Sequence, residues 1–143
     1  AAGPAKVIGA MKNVQSQSTS NPTSISQVAA EAALNGDQDV LKPMVKAFKE
    51  RHDYVVATLN DIEGVSCSPG DGAFYAFANV EGAIAKMGLK NDLEFSEVLL
   101  NTVGVAVVPG SAFGLDGHMR ISYATSPAIL QDAIARINKA ING

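Results

Sequence analysis

One arginine, Arg120, stands in a short and otherwise largely apolar segment, "HMRISYA", whose residue types alternate as in a β-strand. Alternation places Met119, Ile121 and Tyr123 on one face and Arg120 and Ser122 on the other. If the apolar face is core, the guanidinium points away from it and can bind a carboxylate or phosphate through two parallel hydrogen bonds. The preceding loop holds three glycines in eight residues, which lets a ligand approach. The alternative is an exposed strand arginine, or one paired with a carboxylate.

No other set of residues predicts a catalytic centre. There is no glycine-rich phosphate loop between a strand and a helix, and no Ser/His/Asp or Cys/His set can be assembled. His52 and His118 have no evident carboxylate or cysteine companion, so both are interpreted as ordinary surface or loop histidines. The single cysteine, Cys67, belongs to no cluster with metal-ligand spacing, and no metal site is predicted.

Composition limits the class of protein. The 143 residues are 47% hydrophobic and 17% charged, which predicts one domain with some apolar surface reserved for an interface. A net charge of −3 with scattered basic residues disfavours nucleic acid and anionic membranes as partners. One unpaired cysteine favours a reducing compartment, so we expect a cytoplasmic protein. No segment suits a membrane span or a signal peptide, and the chain reads as the interior of a longer one.

Periodicity predicts an α+β fold in which helices pack against a small mixed sheet, in the order α-α-β-β-α-β-β-α. Asn21 or Ser24 is expected to cap the second helix, with Ser24 and Gln27 at capping-box spacing. In the predicted hairpin, Phe74, Ala76 and Ala78 share one face. The predicted elements are a short helix in residues 4–14, a helix of about 12 residues ending at Asn35-Gly36, a long amphipathic helix from residue 37 or 39 to 60, a hairpin in residues 65–80, a helix from residue 91 or 92 to about 102, strands in residues 105–110 and 118–124, and a last helix from residue 126.

Four ordered motifs carry a resemblance to a known family: "TSNPTSISQ", "GDGAFYAFANV", "VAVVPGSAFG" and "HMRISYATS". In this order and spacing they resemble the carboxyl-terminal part of class I/II, fold type I, pyridoxal-phosphate-dependent aminotransferases, in particular the bacterial aspartate aminotransferases. The resemblance covers essentially the whole chain. It implies that residues 1–143 are the small, C-terminal domain of such an enzyme, with a segment in residues 1–36 that contacts the large domain and the partner subunit of a homodimer.

The resemblance also implies roles for individual residues. Arg120 matches the arginine that binds the α-carboxylate of the amino-acid substrate. Phe74 matches an aromatic residue that lines the substrate pocket, although a core phenylalanine on a strand is the alternative. Ser20 and Asn21 match a segment that reaches the cofactor phosphate in the other subunit, with helix capping as an alternative or additional role.

Two departures from the family pattern limit what the resemblance implies. One branch of the family has an arginine before "SNP" that binds the substrate's side-chain carboxylate, whereas this chain has Ser16 there. The family's cofactor lysine lies in a segment that would precede Ala1, and no lysine of this chain matches it. The chain is therefore expected to contain no catalytic residue, to hold no pyridoxal phosphate and to be inactive alone.

The sequence thus predicts part of an aminotransferase that exchanges an amino group between aspartate, or a related amino acid, and a 2-oxo acid. Two alternatives stay open. The chain can belong to another fold type I pyridoxal-phosphate enzyme, a lyase or synthase, because a shared carboxylate site does not fix the later steps. It can also be a non-catalytic α/β interaction domain.

Overall fold

The computed structural model describes residues 1–19 and 21–143, which divide into two units, residues 1–40 and 41–143. The first unit contains helices α1 (Ala5–Ser18) and α2 (Ser24–Asn35). None of the described residues of this unit is buried, so its helices enclose no core of their own. No helix in residues 1–19 and 21–143 is long and apolar enough to cross a membrane.

The start of α2 differs from the predicted capping box. Thr23 occupies the N-cap position without a side-chain hydrogen bond, because the backbone turns into the helix there and Ser24 is already helical. The prediction that Asn21 or Ser24 caps this helix is therefore wrong. The Gln27 side chain instead donates a hydrogen bond of 2.8 Å to the carbonyl of Pro22. The predicted end at Asn35 is confirmed.

The second unit is an α+β fold, as predicted. Its four strands lie in the order β1-β2-β4-β3, and every pairing is antiparallel, whereas a mixed sheet was predicted. The elements of this unit are α3 (Leu41–Asn60), β1 (Ser66–Cys67), β2 (Tyr75–Asn79), α4 (Glu81–Lys86), α5 (Asp92–Val98), β3 (Val108–Pro109), β4 (His118–Ser122) and α6 (Pro127–Asn142).

Two local differences from the predicted elements stand out, and one predicted helix end is confirmed. Helix α4 was not predicted, since its six residues are too few to show a clear period. Strand β3 pairs over only two residues, although residues 105–110 were predicted to be a strand. Helix α5 continues as a π-helical turn (Leu99–Val103) and ends at Gly104, whose φ of 68° confirms the predicted helix end.

The core lies between one face of the sheet and the long helices. The C-terminal half of α3 contributes Val55 and Leu59, while Ala78 and Met119 come from the two central strands. The prediction of a continuous buried stripe along α3 is wrong for its N-terminal half, because only the later turns of that helix reach the core. The stripe residues that are exposed are Val40, Leu41, Met44 and Val45. In α6, the stripe is buried except for Ile129, which is exposed, and Ala133, which is half-buried.

The register of the central strands decides what lies on the opposite face. Phe77 of β2 pairs with Arg120 of β4, so the aromatic ring and the guanidinium share the face that points away from the core. Phe74 does not share a face with Ala76 and Ala78 as predicted. It is 52% exposed, whereas Ala76 and Ala78 are buried, because β2 begins only at Tyr75 and the strand alternation does not extend to Phe74.

Candidate functional site

Arg120 is half-buried on β4, and two aromatic rings hold its guanidinium. The guanidinium carbon lies 4.3 Å from the centre of the Phe113 ring and 5.2 Å from that of Tyr75. Such cation–π contacts fix the position of the charge without using its N–H groups. Within residues 1–19 and 21–143, no carboxylate forms an ion pair with Arg120. The guanidinium is therefore positioned and still able to bind an anion.

Residues 110–117, here called loop 110–117, bring Phe113 over Arg120. The loop begins as a 3-10 turn (Gly110–Phe113) and closes with a 3.2 Å hydrogen bond from the Leu115 N–H to the Gly110 carbonyl. Gly110 is required for this tight path, because a Cβ there would lie 2.4 Å from the carbonyl oxygen of Leu115. The loop thus places an aromatic ring beside the strand that carries the arginine.

Asp92 anchors loop 110–117 from beneath. Its carboxylate is only 2% exposed and accepts a 2.7 Å hydrogen bond from the Ser111 N–H. Burial raises the pKa of Asp92, but hydrogen bonding, chiefly from Ser111, outweighs burial and lowers its pKa. Asp92 is therefore ionised at neutral pH and holds the start of the loop through the Ser111 N–H.

The predicted pocket residue Phe74 is linked to Arg120 by the ring of Tyr75, which contacts both residues. The Phe74 ring meets Tyr75 edge-on at 5.5 Å, and Tyr75 in turn faces Arg120. Phe77 packs edge-on against Phe113 at 6.1 Å. These contacts form a row of aromatic side chains beside the guanidinium, which suits the apolar part of a small carboxylate-bearing ligand.

The histidines are less ordinary than predicted. His52 has a carboxylate companion, because its Nδ1 lies 3.0 Å from Asp53 Oδ1, and its side chain is only 12% exposed. The prediction of a surface histidine without a companion is wrong for His52, since α3 turns this side chain toward the sheet end rather than toward solvent. His118 stacks on Phe77 at 5.3 Å and contacts the Asp116 carbonyl through Nδ1.

The other predicted site residues lie in the first unit. Asn21 is exposed, and Ser20 lies outside the described residues. Ser16, at the position where part of the family has an arginine, is exposed on α1 and donates a 2.8 Å hydrogen bond to the Asn13 carbonyl. Neither described residue has a partner that points to a ligand.

Comparison with known proteins decides the family. The family model for "Aminotransferase class I and II" matches residues 1–137. This chain belongs to the class I and II aminotransferase family. The match includes Phe74, Asp92, Phe113 and Arg120, so the whole site lies inside the family region.

Individual relatives of this aminotransferase chain are similar over nearly all of its length. It is 52% identical over 141 residues to the aspartate/prephenate aminotransferase of Nitrosomonas europaea, covering 94% of this chain and 36% of that protein. It is 50% identical to the aspartate aminotransferase of Rhizobium meliloti strain 1021, covering 98% and 35%. A crystal structure of the aspartate aminotransferase from Rhizobium meliloti superposes with a TM-score of 0.87 at 48% identity, covering 98% and 36%. The chain thus spans about a third of these relatives.

Sequence reasoning singled out Arg120 in this aminotransferase chain but not the side chains that contact it. Tyr75 and Phe113 were not assigned to the site, and Asp92 was considered only as a possible start of a helix. A signal existed for Tyr75, because the alternation of β2 already placed it on the face opposite Ala76 and Ala78. No local pattern connects Asp92 with Ser111, which lies 19 residues further along the chain.

Proposed function

We propose that this chain is the C-terminal small domain of a pyridoxal-phosphate-dependent aminotransferase and that Arg120 binds the α-carboxylate of the substrate. The observation that supports this role is a half-buried guanidinium held by two rings, with no anionic partner in the described part of the chain. Ring contacts of this kind do not use the N–H groups of the guanidinium, which can therefore form two parallel N–H···O bonds with a carboxylate.

Residues 68–74 are here called loop 68–74. Phe74, the last residue of this loop, and Tyr75, the first residue of β2, line one side of the site. Their exposed rings, 5.5 Å apart, offer an apolar wall to the substrate carbons while Arg120 holds the carboxylate. Closure of this domain over the substrate would exclude water and strengthen the ion pair.

The first unit contacts the large domain and the partner subunit of a homodimer. Its support is the apolar surface of two helices that bury none of their described residues, including Val7, Met11, Ile25 and Val28. Apolar surface of this kind is expected to be covered in the complete assembly. Ser20 and Asn21 then contact the cofactor phosphate of the other subunit, as the family resemblance implies.

The residues around Arg120 do not by themselves fit pyridoxal phosphate. The strand positions beside it are aromatic, polar or aliphatic, and none of those described is a lysine. Lys86 forms an ion pair with Glu63, and Lys49 forms one with Asp53. When bound in the whole enzyme, pyridoxal phosphate supplies the electron sink for amino-group exchange. This chain supplies the carboxylate site and the wall around it.

The amino donor is aspartate or a related amino acid, and the acceptor is a 2-oxo acid. The names of the two relatives support aspartate, and the Nitrosomonas name adds prephenate as a candidate substrate. Because Ser16 cannot bind the side-chain carboxylate of aspartate by an ion pair, another group of the complete enzyme must do so. A cytoplasmic location is consistent with the single buried cysteine, Cys67.

The test compares the full-length protein with residues 1–143 alone. Full-length protein supplied with pyridoxal phosphate should form oxaloacetate from aspartate with 2-oxoglutarate or prephenate as acceptor. The chain alone should retain no cofactor absorption after dialysis and show no turnover above that of free cofactor. An elimination product in place of oxaloacetate would favour a lyase, and turnover by the chain alone would contradict the small-domain assignment.

Phe113→Leu should raise the KM for aspartate in the full-length enzyme by about 2- to 30-fold, since it removes a ring contact worth about 0.5 to 2 kcal/mol. Phe113→Tyr is the matched control, because it keeps the ring and should stay close to the wild-type KM. Steady-state kinetics at several aspartate concentrations measure both. Equal KM values for the two variants would show that the ring does not position Arg120.

A further inference from the structure

We propose that His52 is a positioning residue for substrate binding, because its neutral imidazole fixes loop 68–74 and thereby Phe74 and Tyr75. This inference rests on the proposed function, since it assigns His52 a part in the site built around Arg120. His52 itself does not contact that site. It acts through the backbone of loop 68–74, which leads directly into β2.

The hydrogen bonds of His52 define its protonation state. Nε2 accepts a 3.2 Å hydrogen bond from the N–H of Gly70, which lies 18 residues further along the chain. A ring nitrogen that accepts a hydrogen bond carries no proton, so the hydrogen resides on Nδ1, which donates to Asp53 Oδ1 at 3.0 Å. The neutral ring thus links α3 to the middle of loop 68–74.

Tyr123 holds the other end of the same loop. Its hydroxyl donates to the carbonyls of Gly72 and Ala73 at 3.3 and 3.2 Å, and its N–H donates to the Phe74 carbonyl at 2.8 Å. The rings of His52 and Tyr123 meet edge-on at 5.9 Å, so both anchors belong to one packed pair. The left-handed φ of Ala73 fits this reading, because such a conformation persists only where the surroundings hold it.

A cavity lies between α3 and loop 68–74, so packing alone does not fix the loop. The cavity has a volume of about 560 Å³. Its lining includes Met44, Phe48, His52, Pro69, Gly70 and Tyr123. Because the cavity leaves the loop without full packing support, its position depends more strongly on the hydrogen bond from the Gly70 N–H to His52.

Two substitutions in the full-length enzyme separate the hydrogen bond from the bulk of the side chain. His52→Leu removes the acceptor, and we expect the KM for aspartate to rise about 3- to 10-fold with little change in kcat, the effect of one lost hydrogen bond. His52→Gln offers an amide oxygen that can accept the hydrogen bond from the Gly70 N–H. It should therefore recover most of the wild-type KM.

Hydrogen–deuterium exchange of the peptide covering residues 66–75 tests the loop directly, without substrate. His52→Leu should exchange faster than wild type, and His52→Gln should exchange at close to the wild-type rate. Unchanged exchange in His52→Leu would overturn the anchoring role, and faster exchange with an unchanged KM would overturn the role in substrate binding. Neither result depends on whether Arg120 binds the carboxylate, which the Arg120 variants test separately.

Discussion

Arg120→Ala in the full-length enzyme is expected to lower kcat/KM for aspartate by about 150- to 5,000-fold, which corresponds to 3 to 5 kcal/mol of transition-state binding. The physical reason is that the substrate carboxylate enters a partly desolvated site lined by Tyr75 and Phe113 and then finds no counter-charge. Steady-state kinetics with aspartate measure the loss. A value within a few-fold of wild type would contradict the carboxylate role.

Arg120→Lys is the matched control for that experiment. It keeps the charge but replaces the planar fork by an ammonium, which cannot form two parallel hydrogen bonds with a carboxylate, so only part of the activity should return. The stability of the correctly folded state should change little in either variant, because Arg120 forms no ion pair within the described residues. Thermal unfolding of the variants would reveal any general structural damage.

Asp92→Ala is expected to reduce the free energy of unfolding by about 1.5 to 3 kcal/mol, because the Ser111 N–H loses a charged acceptor. Ser111 lies near the start of loop 110–117. Displacement of this loop should also move Phe113 and raise the KM for aspartate. Urea unfolding measures the first effect and steady-state kinetics the second. A loss of less than about 1 kcal/mol in the free energy of unfolding would show that the loop does not depend on Asp92.

Asp92→Asn is the control that isolates the charge and sets the direction of the pH dependence. The pKa of Asp92 is lower in the folded than in the unfolded state, so its ionised form stabilises the fold above the unfolded pKa of about 3.9. That stabilisation is lost as the pH falls through the folded pKa. The advantage of wild type over Asp92→Asn should therefore be full at pH 7 and shrink below about pH 4. An advantage independent of pH would contradict the ionised role.

Local patterns predicted the elements that have strong local signals. Asn91 and Ser126 were expected near helix starts, and the structure shows both as N-caps that accept from the N–H of Glu94 and Ile129. The signals failed where tertiary packing decides. The apolar residues Met44 and Val45 share a helical stripe with Val55, but only the later part of α3 meets the core.

The residues of the candidate site also differ in whether a local sequence signal could predict them. Arg120 was visible because a charged residue in an alternating apolar strand is a local anomaly. The side chains around Arg120 could not be predicted, because the path of loop 110–117 brings Phe113 to it and Asp92 reaches that loop only through a tertiary contact with Ser111. The companion of His52 was overlooked even though Asp53 is its neighbour, because sequence does not show that the two adjacent side chains contact each other.

The register of β2 against β4 gives Arg120 a second role during folding. A slip by one residue would move Arg120 to the side of the sheet where Met119 and Ile121 now lie and would bury a guanidinium among aliphatic side chains. An unpaired charge in such surroundings is strongly unfavourable. The residue assigned to the substrate thus also penalises misaligned pairing, so its loss can lower the yield of correctly folded enzyme as well as its activity.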